Sequence, residues 1–435
     1  MVKETPFWLK FIPYNTRLKI AERTNLLAII NNSGWLLFDK LVRMGLGLLI
    51  GAWVARYLGP EQYGELNYVL AYITFFQAIA LLGIDGIVVR DIARDKEQTG
   101  QILGTAFMLR VISGIACWFA SVGGMILING WHDRSVLITA LASGCLIFQA
   151  VDIIDLWFQS QSQSKRTVTA KFIAYLLSNG IKVVLIILQA PLIAFAVVIA
   201  LDAFTAAVGL IVAYSYFPCS QQWQRVAQQG KNLLKESWPF MAAGIINLFQ
   251  ARIEFFIIET MLGVEQLGQY VASLKFMEIF DIAGTILAVS IFPKLASYSS
   301  ENASMAIRKT YFFMLLIYLF NLPCMIFVWI MMGFVYGPQY AIAQDIFFFM
   351  ALRPLFTYLG VTRSMAIKID GKTWYSPFCS TIGAFIAAST AYVFIPYFGL
   401  LGAVASATIS YMCSNLLIDI LFYRKNFHNL IRCYK

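Results

Sequence analysis

Leu58-Gly59-Pro60-Glu61-Gln62-Tyr63-Gly64 and Leu262-Gly263-Val264-Glu265-Gln266-Leu267-Gly268 are two copies of one pattern, L-G-x-E-Q-x-G, set 204 residues apart. Each copy closes one long apolar run and opens the next. The first glycine suits a helix C-terminus and the Glu-Gln pair suits the first turn of the following helix, so the motif reads as structural. Its repetition carries the information. Ser33 and Ser237, near the starts of the preceding runs, keep the same offset. The chain is therefore read as two similar halves.

Working outward from these copies, twelve apolar stretches fall at about 27–57, 64–90, 99–128, 135–159, 168–189, 192–216, 237–261, 267–292, 307–333, 340–367, 374–395 and 400–423. The composition agrees. Of 435 residues 60% are hydrophobic and 13% charged, about half the charged fraction of a soluble domain. Such a chain cannot cover itself with polar surface, which excludes a soluble enzyme, and an aromatic content of 15% excludes disorder. A spanning helix takes roughly 20 apolar residues, and no alternating ten-residue segments suggest an outer-membrane barrel. The fold class expected is an all-α polytopic membrane protein with twelve transmembrane helices. They form two six-helix lobes. Six is even, so the lobes share one orientation and are related by a pseudo-two-fold axis along the membrane normal.

Charge sets the orientation. If the N-terminus is inside, 22 of the 33 Lys and Arg lie in inner segments and one, Arg134, lies outside. This asymmetry predicts twelve spans with both termini cytoplasmic, and it accounts for the net charge of +10 without nucleic acid. The expected divisions are a basic cytoplasmic segment 1–25, an N-terminal lobe 26–217, a polar Gln-rich cytoplasmic linker 218–236, a C-terminal lobe 237–423 and a cytoplasmic tail 424–435. Met1–Asn25 has no cleavage site after a short apolar core and reads as a retained segment. The seven cysteines stand singly, and the two histidines, His132 and His428, fall in loops or tails. No metal and no cofactor is expected from that pattern.

Ten cations remain within or beside the apolar runs: Lys40, Arg43, Arg56, Arg110, Lys171, Lys182, Arg252, Lys275, Arg353 and Arg363. Arg56 and Lys171 lie near helix ends and can snorkel. The other eight would cost roughly 20–28 kcal/mol facing lipid, more than a typical domain's stability. Two readings stand. The charges are internal ion pairs that lock the bundle, as spacing suggests for Asp39 with Arg43 and for Lys275 with Glu278. Alternatively they line a wet cationic chamber that suits a phosphate or pyrophosphate head group. Gly83-Ile84-Asp85-Gly86 should break the second helix, and Gly45, Gly47 and Gly51 line the first at small-residue spacing.

Trp53 through Gly64 and then Leu82 through Arg90 resemble the polysaccharide-unit flippases, the O-antigen and exopolysaccharide transporters of the multidrug/oligosaccharidyl-lipid/polysaccharide exporter superfamily. Arg252-Ile253-Glu254, Gly268-Gln269-Tyr270, Lys275-Phe276-Met277-Glu278 and Phe292-Pro293-Lys294-Leu295 continue the resemblance. Glu254 departs from it, since the family often has Asp there. The resemblance implies a transporter in the bacterial inner membrane. It would flip an undecaprenyl-(pyro)phosphate-linked oligosaccharide repeat unit from the cytoplasmic to the periplasmic leaflet by alternating access, for cell-surface polysaccharide biosynthesis. No ATP-binding loop is present.

The resemblance further implies that Arg43, Arg252, Lys275 and Arg353 hold the head group, with Lys40 and Arg363 behind them. Asp39, Asp85, Glu254 and Glu278 become partners of those cations, or a switch linked to a coupling ion (H+ or Na+). The partners implied are the lipid-linked oligosaccharide, membrane lipids and a polysaccharide polymerase complex. A cation-coupled multidrug exporter would instead favour an acidic, aromatic cavity, an enzyme would need a large outer loop, and a non-transporting scaffold would need no vacant chamber.

Overall fold

The computed structural model describes the backbone of residues 24–296, 300–372 and 374–431. Side chains are described from Val42 onward except at 289–290, 292–294, 296–303, 373, 425 and 427. The expected segment 1–25 thus lies almost wholly outside the described residues, and so do the side chains of Asp39 and Lys40. All regular structure among the described residues is helical.

The first element, α1 (Thr24–Ala80), is two helices joined at Gly59, whose φ of 75° and ψ of 168° are not helical. Only glycine adopts such values at no steric cost, and Pro60 beyond it needs no hydrogen-bond partner for its nitrogen. The second copy of the motif does the same thing: α9 (Ala227–Leu262) ends at Gly263, with φ 89° and ψ 168°, and α10 (Val264–Ala296) follows directly. The two copies then meet. A Cβ on Gly64 would collide with the carbonyl of Val264 and lie 2.9 Å from the Gly268 nitrogen, while one on Gly268 would collide with the Pro60 carbonyl and lie 3.1 Å from the Gly64 nitrogen. Backbone therefore touches backbone across a local two-fold, and α1 and α10 pack extensively against each other.

A break is present two residues earlier than the expected Gly83–Gly86: α1 stops at Ala80 and α2 (Asp85–Arg94) resumes after a turn in which Leu82 and Gly83 have φ of 57° and 63°. The carbonyls freed by the break find donors on α3 (Thr99–Asn129). Ser113 Oγ donates to Ala80 O at 2.7 Å, and Arg110, only 2% exposed, reaches Leu81 O at 3.5 Å and pairs with Asp85. Next come α4 (Arg134–Ala142) and the short α5 (Cys145–Phe148), then a single tighter turn, Gln149–Asp152, that leads into α6 (Ile153–Ser160). Lys171, on α7 (Ser164–Ile187), does not simply snorkel. It bridges Asp152 at 2.7 Å and Asp155 at 2.8 Å. The next helix is α8 (Leu192–Tyr216).

The segment expected as a linker at 218–236 is helical from Ala227, the start of α9. Its leading part is strapped to α3, because Gly100 and Gly104 leave room for the backbone of Gln222 and Gln224. Gln224 N–H donates to Gly100 O, and Val226 N–H donates to Thr105 Oγ1 at 3.0 Å. Arg90 pairs with Glu236 on the first turns of α9. Further along, Gln250 Nε2 donates to Ser410 and Ser414 at 3.1 and 2.9 Å, so one helix is tied to early and late parts of the chain.

The remaining elements are α11 (Ser300–Tyr336), α12 (Ala341–Met350), α13 (Arg353–Ile369), α14 (Tyr375–Phe398), α15 (Leu400–Met412), α16 (Ile418–Phe422) and α17 (Arg424–Ile431). By length and apolar composition nine described helical stretches can cross a membrane, and ten if α12 and α13, bent by 47°, are one span. The count of twelve is not reached by that measure, for two reasons. Val42–Arg94 is counted once although 53 straight residues would reach about 80 Å, and the continuously described part of α10, 264–288, carries Lys275, Glu278 and Asp281 close together.

Arg363 of α13 and Asp419 of α16 form a buried ion pair. Arg363 Nε donates to Asp419 Oδ1 at 2.9 Å, Tyr375 donates to the same oxygen at 2.9 Å, and Asn426 donates to Oδ2 at 2.6 Å. The two charged side chains are 5% and 2% exposed. Removing one partner of such a pair leaves a buried charge and costs about 3–5 kcal/mol. Asp419→Ala is therefore expected to lower the thermal unfolding midpoint of the purified protein markedly. An unchanged midpoint would show that water reaches Arg363.

Candidate functional site: a charged cavity between α1 and α10

A cavity of about 280 Å³ lies between α1 and α10, and Tyr336 of α11 closes one side. Its α1 wall presents Arg43, Gly47, Gly51 and Tyr63, and its α10 wall presents Lys275 and Glu278. Tyr63, adjacent in the chain to Gly64, is part of the lining, so the Gly64–Gly268 contact stands at that end of the cavity as its roof. Tyr340 donates to Ala55 O at 2.8 Å and Gln339 to Arg56 O at 2.6 Å, which extends that roof.

The cations stand in three settings. On α1, the Arg43 guanidinium lies 4.9 Å from the Tyr175 ring centroid. Facing it, Glu278 is shared: Arg252 from α9 donates to one oxygen at 2.9 Å, and Lys275 approaches the other at 3.6 Å. Lys275, 42% exposed, lines the open space itself, whereas Arg252, 23% exposed, adjoins it through Glu278. Deeper, Arg353 at the start of α13 pairs with Asp281 at 3.4 Å and lies 5.3 Å from the Tyr411 ring centroid.

Glu254 is 3% exposed and accepts a hydrogen bond from Tyr270 at 3.2 Å, while its second oxygen has no hydrogen-bond partner. Among the described side chains, Arg43, Arg252, Lys275 and Arg353 stand with Glu254, Glu278 and Asp281. Low dielectric around the cavity strengthens the interactions among these charges.

Arg43, Lys275 and Glu278 are thus brought together in one cavity lining, and Arg252 stands next to it through its pair with Glu278. Arg353 and Glu254 form the layer behind. Asp85 is at the break in the second helix with Arg110, and Arg363 is with Asp419, both in other clusters. Sequence reading missed Tyr63, Tyr336 and Tyr175. One signal for Tyr63 was available, because it occupies the motif position that the second copy fills with Leu267. Among the described residues no group of three or more His, Cys, Asp or Glu is placed to hold a metal.

Comparison with solved structures gives several full-length likenesses. A multidrug resistance MATE family transporter of the MOP superfamily, in an inward-facing conformation, superposes with a TM-score of 0.67 at 17% identity, covering 90% of this chain and 96% of that one. A MOP superfamily transporter from Pyrococcus furiosus, reported with a binding pocket of reversed polarity, gives 0.63 at 17% identity, with 93% and 96% covered. The lipid II flippase MurJ, in an inward closed conformation, gives 0.64 at 12% identity, with 93% and 91% covered. No curated protein matches by sequence. The family described as polysaccharide biosynthesis protein matches residues 29–299, and this chain belongs to that family, built on the all-helical fold of the MOP superfamily membrane transporters.

Proposed function

We propose that this protein is a transporter that moves an undecaprenyl-(pyro)phosphate-linked oligosaccharide repeat unit from the cytoplasmic to the periplasmic leaflet of the bacterial inner membrane. The observation that carries the reading is the cavity between α1 and α10, where Arg43 and Lys275 face each other across a single carboxylate. Phosphate oxygens replace water there with charge-assisted hydrogen bonds. The volume of about 280 Å³ is at the small end for a ligand site. It suits the phosphate end of the substrate and the sugar next to it, with the remaining sugars and the lipid tail outside.

In this proposal twelve spans form two six-helix lobes with cytoplasmic termini, and the lobes rock to expose the cavity alternately on each side. Arg43, Arg252 and Lys275 bind the head group. Glu278 holds two of them apart until a phosphate competes, and Arg353 with Glu254 stands behind, in reach of a coupling ion. A carrier of organic cations would place carboxylates at the wall, where this cavity has two cations to one acid. A polymerase complex is the natural consumer of the product.

The test is a deletion strain. Lipid-linked repeat units should accumulate on the cytoplasmic leaflet, and surface polysaccharide should fall by at least about tenfold, with both restored by the plasmid-borne gene. Normal surface polysaccharide and no accumulated intermediate would end the reading.

A further inference from the structure

We infer that Tyr175 of α7 is the positioning residue for Arg43, setting the guanidinium at the cavity wall by three linked contacts. The ring lies under the charge, with 4.9 Å between the guanidinium carbon and the ring centroid, a distance at which the ring's negative face attracts a cation. The phenol hydroxyl donates to the Arg43 carbonyl at 2.8 Å, so the ring is fastened to the backbone that carries the charge. One turn later comes Gly47. A Cβ there would lie 2.7 Å from the Tyr175 hydroxyl oxygen but 4.0 Å from the ring carbon that bears it. The glycine is therefore the clearance that lets the hydroxyl reach its acceptor. Asn179 Nδ2 donates to the Tyr175 carbonyl at 2.8 Å and steadies the α7 side.

The arrangement has a chemical consequence. On the opposite wall Lys275 is oriented by Glu278, a carboxylate that cancels charge as it orients. An aromatic face orients Arg43 without adding a negative charge to the wall. Tyr175 thus keeps Arg43 aimed at the cavity in which an anionic head group would bind. This last step rests on the function proposed above, whereas the positioning itself does not.

The experiment separates the two. In ligand-free protein in nanodiscs, Arg43 is modified with phenylglyoxal and the rate is read by peptide mass spectrometry. Tyr175→Leu should raise the rate about tenfold and Tyr175→Phe, which keeps the ring, less than about threefold. Gly47→Ala should raise the rate by displacing the hydroxyl, and Gly47→Ala in the Tyr175→Phe background should add nothing, because the colliding atom is gone. Unchanged rates in both Tyr175→Leu and Gly47→Ala overturn the inference, and so does an additive double variant.

Farnesyl pyrophosphate binding to the same nanodiscs supplies the second arm. Tyr175→Leu should weaken it about tenfold and have no effect once Arg43→Ala is present. An equal loss in the Arg43→Ala background assigns Tyr175 a merely structural role and overturns the inference. Absence of binding by the unaltered protein counts against the proposed function alone, and the modification rates still decide the role of Tyr175.

Discussion

Arg252→Ala is expected to reduce export of the lipid-linked glycan by about a hundredfold while the protein still accumulates in the membrane. A guanidinium that gives two hydrogen bonds to a phosphate contributes about 1.5 kcal/mol or more for each, and 1.4 kcal/mol is a factor of ten. The stability cost is small by comparison. Glu278 loses one partner but keeps Lys275 at 3.6 Å, and the site is open enough for water to take the vacated oxygen. A partly exposed pair of this kind contributes at most about 1 kcal/mol. Arg43→Ala should behave similarly, because Arg43 lines the same cavity opposite Lys275 and Glu278. Both are checked by surface polysaccharide per unit of membrane-inserted protein. Export at the normal level in both variants would remove the head group from this cavity. Asp419→Ala serves as the contrast, since it should lower the amount of protein rather than the activity of what remains.

Gly64→Val and Gly268→Val are the second pair, with a comparable loss expected for a different reason. Neither residue touches the open space. Each meets the other motif copy through main chain only, and a backbone carbonyl cannot swing aside as a side-chain tip can. Any added carbon must push α1 and α10 apart at the roof of the cavity, carrying Tyr340 and Gln339 off Ala55 and Arg56. Overpacking of this sort costs about 1–3 kcal/mol in an ordinary core, and more here because the obstacle is rigid. The expected outcome is a lower unfolding midpoint together with export reduced at least about tenfold. Cysteines placed on either side of the roof should also become reactive to membrane-impermeant maleimide. Wild-type export and unreactive cysteines would show that this end does not need to close.

Several of these features were legible because they are local. The motif copies, the glycine-rich break after Ala80 and the i,i+3 pair Lys275–Glu278 can all be seen within a few consecutive residues. What was illegible depends on which helices become neighbours. Nothing near Asp85 names Arg110 as its partner, since the two are 25 residues apart on separate helices. Lys171 looked like a snorkelling lysine because Asp152 and Asp155 belong to the preceding helix. Arg363 was grouped with the chamber cations because Asp419 lies 56 residues further on. The stretch 218–236 was read as a linker because its polarity is high. That polarity serves hydrogen bonding to α3, and its second half winds into α9. A tyrosine in an apolar helix gives no signal at all until its ring is seen beneath an arginine.

The reciprocal contact between Pro60–Gly64 and Val264–Gly268 has the form of an isologous homodimer interface, in which each patch meets its own duplicate. A protein of half this length could present that patch to a second subunit, but whatever it placed on one wall of the enclosed space it would have to place on the other. Gene fusion lifts that constraint. At the same 204-residue offset Arg43 corresponds to Asn247, Arg252 to Leu48, Lys275 to Ala71 and Glu278 to Thr74. The backbone remains paired while the ionisable groups do not, so duplicated main chain encloses a space whose two walls carry different chemistry.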